Sequence, residues 1–227
     1  MKTQIDNFTF YNSDNMVIMK QYPDKYFDLA IVDPPYGIGA GNKNFISGTR
    51  VRQSNFHRTN DWDTEIPKKE YWDELFRISK NQIVWGGNYM TDFLRPSRCW
   101  IFWDKGTGDN SYADGELAWT SFDKTVRKYF KFWSGGNAKE KGQSDRVHPT
   151  QKPVSLYDWI ISNYAESGFK IIDTHLGSGS IALAIDKANK LDNMNLEFVG
   201  IELDSEYFNA ALNRFKLSHL QQTLFTL

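Results

Sequence analysis

The chain has 227 residues, enough for one sizeable domain with a real core. Its 27 Lys and Arg balance 28 Asp and Glu, so bulk charge by itself argues against a nucleic-acid binder. Cys99 is the only cysteine, which excludes intramolecular disulfides and a cysteine-rich metal site, and no apolar run approaches the ~20 residues of a membrane helix.

In chain order, the opening segment MKTQIDNFTF lacks the apolar stretch of a secretory signal, so a cytoplasmic location is expected. Residues 26–32 read as a buried strand that ends at Asp33-Pro34-Pro35-Tyr36. Proline has no backbone donor and fixes φ, so this turn is neither helix nor central strand. Residues 37–66 are polar and weakly periodic, and a loop that long is functional or disordered. Between Gly41 and Asn60 it carries Lys43, Arg50, Arg52 and Arg58 and no acid, while acids gather at Asp61-Trp62-Asp63-Thr64-Glu65. Lys68 to Ser79 predicts an amphipathic helix with Tyr71, Trp72, Leu75, Phe76 and Ile78 inward. Gln82–Trp85 and Arg98–Trp103 read as strands, the first closed by Gly86-Gly87.

Residues 104–147 are turn-rich, with one expected strand at 126–133, and read as an insert or small lobe. Lys124 to Arg146 is basic, with Arg127, Lys128, Lys139 and Lys141 against Glu140 and Asp145. Local basic segments on a neutral chain can still form a phosphate-contacting face. Regular patterning follows: a helix at 154–165, a strand at 169–173, a helix at 181–188, a strand at 196–201 and a last helix from Ser205 to about 220. The series predicts an α/β fold, a doubly wound and mostly parallel sheet with helices on both faces.

Two strand ends carry chemistry. Asp33 and Tyr36 stand on a rigid turn at the carboxyl end of a strand, where open α/β sheets bind ligands. Downstream, Asp173 ends a strand and Gly177-Ser178-Gly179-Ser180 opens a helix, so backbone N–H groups can approach a ligand closely. Glu202 ends the next strand, where an acid can bond ribose hydroxyls, which predicts a nucleoside-cofactor site. The glycine spacing lacks the third glycine of the nicotinamide fingerprint. His57, His148, His175 and His219 show no ligand spacing, so no metal is expected.

Asp33-Pro34-Pro35-Tyr36, then "HPTQKP" from His148 to Pro153, then Asp173 and Gly177-Ser178-Gly179, then Glu202, resemble the β-group of amino-methylating DNA methyltransferases over nearly the whole chain. Thr174-His175 departs from the Pro-Phe usual in that family and puts the packing of the cofactor pocket in question. The resemblance implies a Rossmann-like class I methyltransferase over 1–227, with a mobile DNA-facing loop at 37–66 and a target-recognition insert at 104–147. It also implies S-adenosylmethionine as cofactor, and DNA as substrate with the target adenine flipped out of the duplex. A restriction endonuclease partner is an open expectation.

The expected catalytic set is Asp33, Pro34, Pro35 and Tyr36. The expected cofactor set is Asp33, His148, Thr150, Lys152, Pro153, Asp173, Thr174, His175, Leu176, Gly177, Ser178, Gly179, Ser180, Glu202 and Leu203. DNA contacts are expected from Lys43, Arg50, Arg52, Arg58, Arg127, Lys128, Lys139 and Lys141. An exocyclic amine is a poor nucleophile, because its lone pair is delocalised into the ring. Asp33 and the Pro34 carbonyl can accept its two N–H bonds and free that pair, while Tyr36 offers a flat face for the base. In this family a serine often replaces the aspartate in cytosine-N4 enzymes, so Asp33 favours adenine N6. A non-catalytic nucleic-acid-binding paralogue and a nicotinamide oxidoreductase are the rivals from other classes.

Overall fold

The computed structural model describes residues 1–39, 63–108, 113–133, 147–148 and 150–225. Lys2–Ile5 (β1) and Phe8–Asn12 (β2) form a hairpin, followed by Asn15–Met19 (α1) and Phe27–Val32 (β3). Lys69–Ile78 (α2) runs into Ser79–Trp85 (β4), and then come Trp100–Asp104 (β5), Gly115–Thr120 (β6) and Arg127–Phe130 (β7). Val154–Tyr164 (α3), Lys170–Asp173 (β8), Ser180–Asp192 (α4), Glu197–Glu202 (β9) and Ser205–Phe225 (α5) complete the chain.

The described strands form one sheet in the order β1-β2-β9-β8-β3-β4-β6-β5-β7. The five from β2 to β4 are parallel, with Leu29 opposite both Ile171 and Asn81. Strand β3 shows why both faces are covered. Leu29 and Ile31 face the apolar layer of α3, α4 and α5, while Ala30 and Val32 face that of α1 and α2. Successive side chains alternate across a strand, so a continuous apolar run serves two layers at once. The expected doubly wound α/β fold is therefore the observed one.

Two differences follow from tertiary pairing. Residues 1–25 carry no element in the sequence analysis, yet β2 pairs in parallel with β9 across the whole domain, through Phe8 opposite Phe198 and Asn12 opposite Glu202. The stretch 104–147 was expected to hold one strand. It holds β6 as well, which inserts between β4 and β5 and so joins the central sheet.

The order reverses between β8 and β3. Strand β8 leads through α4 to β9 on one side, and β3 leads through α2 to β4 on the other. At such a switch point the crossovers diverge and leave a crevice at the carboxyl ends. Asp173, the last residue of β8, and Asp33, the first after β3, stand at its two lips.

Candidate active site

A cavity of about 580 Å³ opens at this crevice. Asp33 and Pro35 form one wall, and the turn from Thr174 to Ser178 forms another. His148, Thr150 and Lys152 close it from the side, and Glu202 and Leu203 lie at its far end. A volume of this size suits a nucleoside-sized ligand.

The turn from Asp33 to Tyr36 is held from beneath by Asp63. Its Oδ1 accepts the backbone N–H of Tyr36 at 2.6 Å and of Gly37 at 3.0 Å, and its carbonyl accepts Gly39 N–H at 2.9 Å. These bonds satisfy donors that a proline-interrupted turn cannot pair with a neighbouring strand. Asp33 faces two donors of its own. Tyr36 donates its hydroxyl to Asp33 Oδ1 at 2.6 Å, and Lys152 donates to Asp33 Oδ2.

Lys152 is 4% exposed and lies between two carboxylates, Asp33 and, at 3.2 Å, Glu116. Lys105 in turn meets Glu116 at 2.5 Å. Burial alone would drive the Lys152 ammonium to lose its proton, but Asp33 and Glu116 outweigh it and raise its pKa. Burial likewise works against the Glu116 charge, and Lys152 and Lys105 overcome it and hold the carboxyl below its usual range. The result is a chain of alternating acids and bases, Asp33, Lys152, Glu116 and Lys105, that ends on the Asp33–Tyr36 turn. The Tyr36 hydroxyl is pushed well above 10 by burial and by Asp33, so it remains a donor.

At the other end, Glu202 Oε2 accepts Gly177 N–H at 2.8 Å and Oε1 accepts Asp204 N–H at 3.0 Å. Burial raises the pKa of Glu202, and burial pushes Asp173 up to about 8. Gly179 caps α4 at φ +69, and a Cβ there would lie 3.2 Å from the Ala211 Cβ, so the turn packs directly on α5. Ser180 donates its hydroxyl to the Lys152 carbonyl at 2.8 Å, which ties the 148–153 loop to the glycine turn. Arg214 of α5 donates to the Ser178 carbonyl at 2.9 Å and braces the same turn.

The departure at Thr174-His175 is accommodated by a polar network. Asn15 donates to His175 Nε2 at 3.2 Å, so the ring proton sits on Nδ1, 3.0 Å from Thr174 Oγ1. That hydroxyl also meets the Tyr71 hydroxyl at 2.7 Å. Burial lowers the His175 pKa to about 4 and keeps the ring neutral. The pair thus fills its place with satisfied hydrogen bonds rather than with an apolar ring.

Of the expected cofactor set, Asp33, His148, Thr150, Lys152, Thr174, His175, Leu176, Gly177, Ser178, Ser180, Glu202 and Leu203 line the cavity. Pro153, Asp173 and Gly179 stand behind that lining, and so do Pro34 and Tyr36 of the catalytic set. Lys152 touches the cavity, but its ammonium is turned to Asp33. His148 packs its ring edge-on to Tyr207 at 4.4 Å, and Thr150 meets His148 Nδ1 through its backbone N–H and its hydroxyl. Arg127 and Lys128 lie on β7 at the opposite edge of the sheet, with Lys128 3.1 Å from Asp104. Lys43, Arg50, Arg52, Arg58, Lys139 and Lys141 lie outside the described residues, as do 40–62 of the expected mobile loop and most of the later basic stretch. The two ends of that loop are pinned together by the Gly39–Asp63 bond.

The sequence analysis missed Asp63, Glu116, Ser13, Asp14, Asn15 and Tyr157. Asp63 was one acid in a cluster, and only its 2% exposure sets it apart. Glu116 sits on a strand that the pattern did not reveal. Ser13, Asp14 and Asn15 reach the cavity because β2 ends beside β9. Among the described residues no group of three or more His, Cys, Asp or Glu could hold a metal ion.

Sheet order and a carboxyl-end cavity at the switch point define a Rossmann-like fold. Solved structures share it: M1.HpyAVI in complex with SAM aligns at a TM-score of 0.55 and 21% identity, covering 91% of this chain and 99% of that one. The PvuII DNA methyltransferase, described as cytosine-N4-specific, aligns at 0.57 and 12% identity, covering 97% and 91%. A family model described as DNA methylase, of the N6/N4 type, matches residues 103–213. The type II methyltransferase M.BglII of Bacillus subtilis is 23% identical over 253 residues, 88% of this chain and 67% of its own length. M.HpaI of Haemophilus parainfluenzae is 23% identical over 242 residues, 89% of this chain and 72% of its own. The chain is thus similar to DNA methylases of the N6/N4 type, over residues 103–213 in the family model and over most of its length in these relatives.

Proposed function

We propose that this chain transfers a methyl group from S-adenosylmethionine to the N6 amino group of an adenine flipped out of duplex DNA. The observation that carries the reading is the position of Asp33. It stands on a turn fixed by Asp63, at the wall of a cavity whose far end holds Glu202. The cavity residues fit the cofactor. Glu202 suits ribose hydroxyls, the Gly177–Ser180 turn lets backbone come close, and Asp33 suits the cationic methionine end. When bound, S-adenosylmethionine supplies a methyl group activated by its sulfonium.

The protein's part is alignment. Asp33 Oδ2 and the Pro34 carbonyl accept the two amine N–H bonds, so the nitrogen lone pair is free to form the N–C bond as the S–C bond breaks. One amine proton then leaves, and Asp33 is the acceptor at hand. Lys152 pairs with Asp33 and can lean on Glu116 when the amine takes its place. DNA contacts come from the basic stretch Gly41–Asn60, which follows the Asp33–Tyr36 turn in sequence, and from the basic stretch Lys124–Arg146, with sequence choice in the later one. Methylation-aware sequencing of DNA from cells expressing the protein tests the reading. N6-methyladenine in one sequence context is expected. N4-methylcytosine instead would reassign the target base, and no new mark would refute methyl transfer.

A further inference from the structure

The end of β4 is built more tightly than a strand–turn junction needs. Gly86 turns the chain at φ +66 into a short helical turn, Gly87–Tyr89. A Cβ on Gly86 would lie 2.2 Å from the Tyr36 ring, and one on Gly87 would lie 2.5 Å from the Trp119 Cβ. Both positions therefore need glycine, and the turn is wedged between the catalytic tyrosine and a buried tryptophan. Met90, the next residue, is fully buried and anchors the exit.

This wedge presents Tyr89. Its ring is stacked on Tyr36, with centroids 5.3 Å apart and planes 17° apart. Tyr89 is nevertheless 46% exposed, whereas Trp72, Trp85, Trp103 and Trp119 are all fully enclosed. A flat ring held on a rigid turn and left half open is a stacking surface, pre-ordered at little further entropy cost. Its location matters equally. The inner ring, Tyr36, donates its hydroxyl to Asp33, so Tyr89 lies one ring away from the catalytic carboxylate. Neither tyrosine lines the cavity between β8, β9 and β3, since both lie toward β4. Asp33 thus has the cofactor cavity on one side and a two-ring aromatic step on the other.

We propose that Tyr89 is a contact for the target base, the outer ring of a platform whose inner ring is fixed to Asp33. The proposal rests on the methyltransferase reading above and adds a residue to the base-binding side of that site. Base–aromatic stacking is worth roughly a ten-fold or greater change in affinity per base. The test uses the full chain and two duplexes bearing the sequence that sequencing identifies as methylated, one with the target adenine for kinetics and one with 2-aminopurine in its place for fluorescence. Tyr89→Leu is expected to raise the KM for DNA at least ten-fold and to brighten 2-aminopurine in the complex, because stacking quenches it. Its affinity for S-adenosylmethionine stays at the wild-type value. Tyr89→Phe, which keeps the ring, restores both DNA readouts to within about three-fold.

Wild-type KM and emission in the Leu variant would overturn the proposal. So would a parallel loss of cofactor affinity, which would mean that Tyr89 acts only through the fold. Should Tyr89→Leu not fold, Tyr89→His carries the same comparison against Tyr89→Phe, since its smaller ring stacks less. Equal emission from those two would overturn the proposal. A wild-type protein that marks no DNA would instead refute the underlying reading.

Discussion

Lys152→Met offers a direct test of the ion chain behind the Asp33–Tyr36 turn. Lys152 is 4% exposed and lies between Asp33 and Glu116, so methionine, similar in length and apolar, keeps the volume and removes the charge. Two carboxylates would then face each other with Lys105 as the cation left to Glu116. Removing one partner of a buried ion pair costs about 3–5 kcal/mol. Asp33 and Glu116 keep 20% and 24% side-chain exposure, and that residual solvation places the expected loss near the lower end, about 3 kcal/mol. In a chain of this length the loss corresponds to a fall in Tm of roughly 6–12 °C. Urea unfolding at neutral pH measures it, with Glu116→Gln and the double variant completing the cycle. The double variant should be more stable than Lys152→Met alone by about 1–2 kcal/mol, because one of the stranded charges is gone. A loss under about 1 kcal/mol in Lys152→Met, or strict additivity in the cycle, would refute the argument that these charges are held by one another.

Asp33→Ala should bind S-adenosylmethionine to within several-fold of wild type by calorimetry yet lose nearly all methyl transfer. Turnover above about a tenth of wild type would contradict its role. Tyr36 was expected from sequence to act through its ring, but its hydroxyl also bonds Asp33 at 2.6 Å. Tyr36→Phe should therefore lower kcat by about ten-fold, the value of a charge-assisted bond, and Tyr36→Ala by much more; an unaffected Phe variant would leave the ring alone responsible. Glu202→Ala should weaken cofactor binding by about 1–3 kcal/mol, and unchanged affinity would place the ribose acid elsewhere. Burial pushes Asp173 up to about 8, against an ordinary value of 3.8, so the folded protein keeps a proton that the unfolded chain releases. Its contribution is full below the ordinary value and is lost as pH rises toward 8. Asp173→Asn should lose less stability than wild type between pH 5 and pH 8 in denaturant titrations, and parallel profiles would count against a buried, protonated Asp173.

The sequence by itself determined the parts of this protein whose physics is local. A run of apolar residues stopped by two prolines could only be a strand leaving its sheet, and so residues 27–32 and the Asp33 turn were legible. The amphipathic spacing of α2 was equally plain, as was the βαβα series from Lys170 onward, because period and turn chemistry act within a few residues. The cavity lining was readable to the same extent, wherever a residue stands at a strand end or in the turn just after it: Asp33, Gly177 and Glu202. Tertiary structure decided the rest. Nothing near Asp63 distinguishes it from its acidic neighbours until the chain folds back and brings Tyr36 N–H to it. Glu116 and Lys152 are 36 residues apart in the chain and meet only because β6 runs antiparallel between β4 and β5 and puts its first residues at the carboxyl edge. Tyr89 is an unremarkable turn residue in sequence, and its stack on Tyr36 exists because two glycines let backbone lie against that ring. Strand order is set by which faces and edges bury together, a long-range balance that no short window of residues contains.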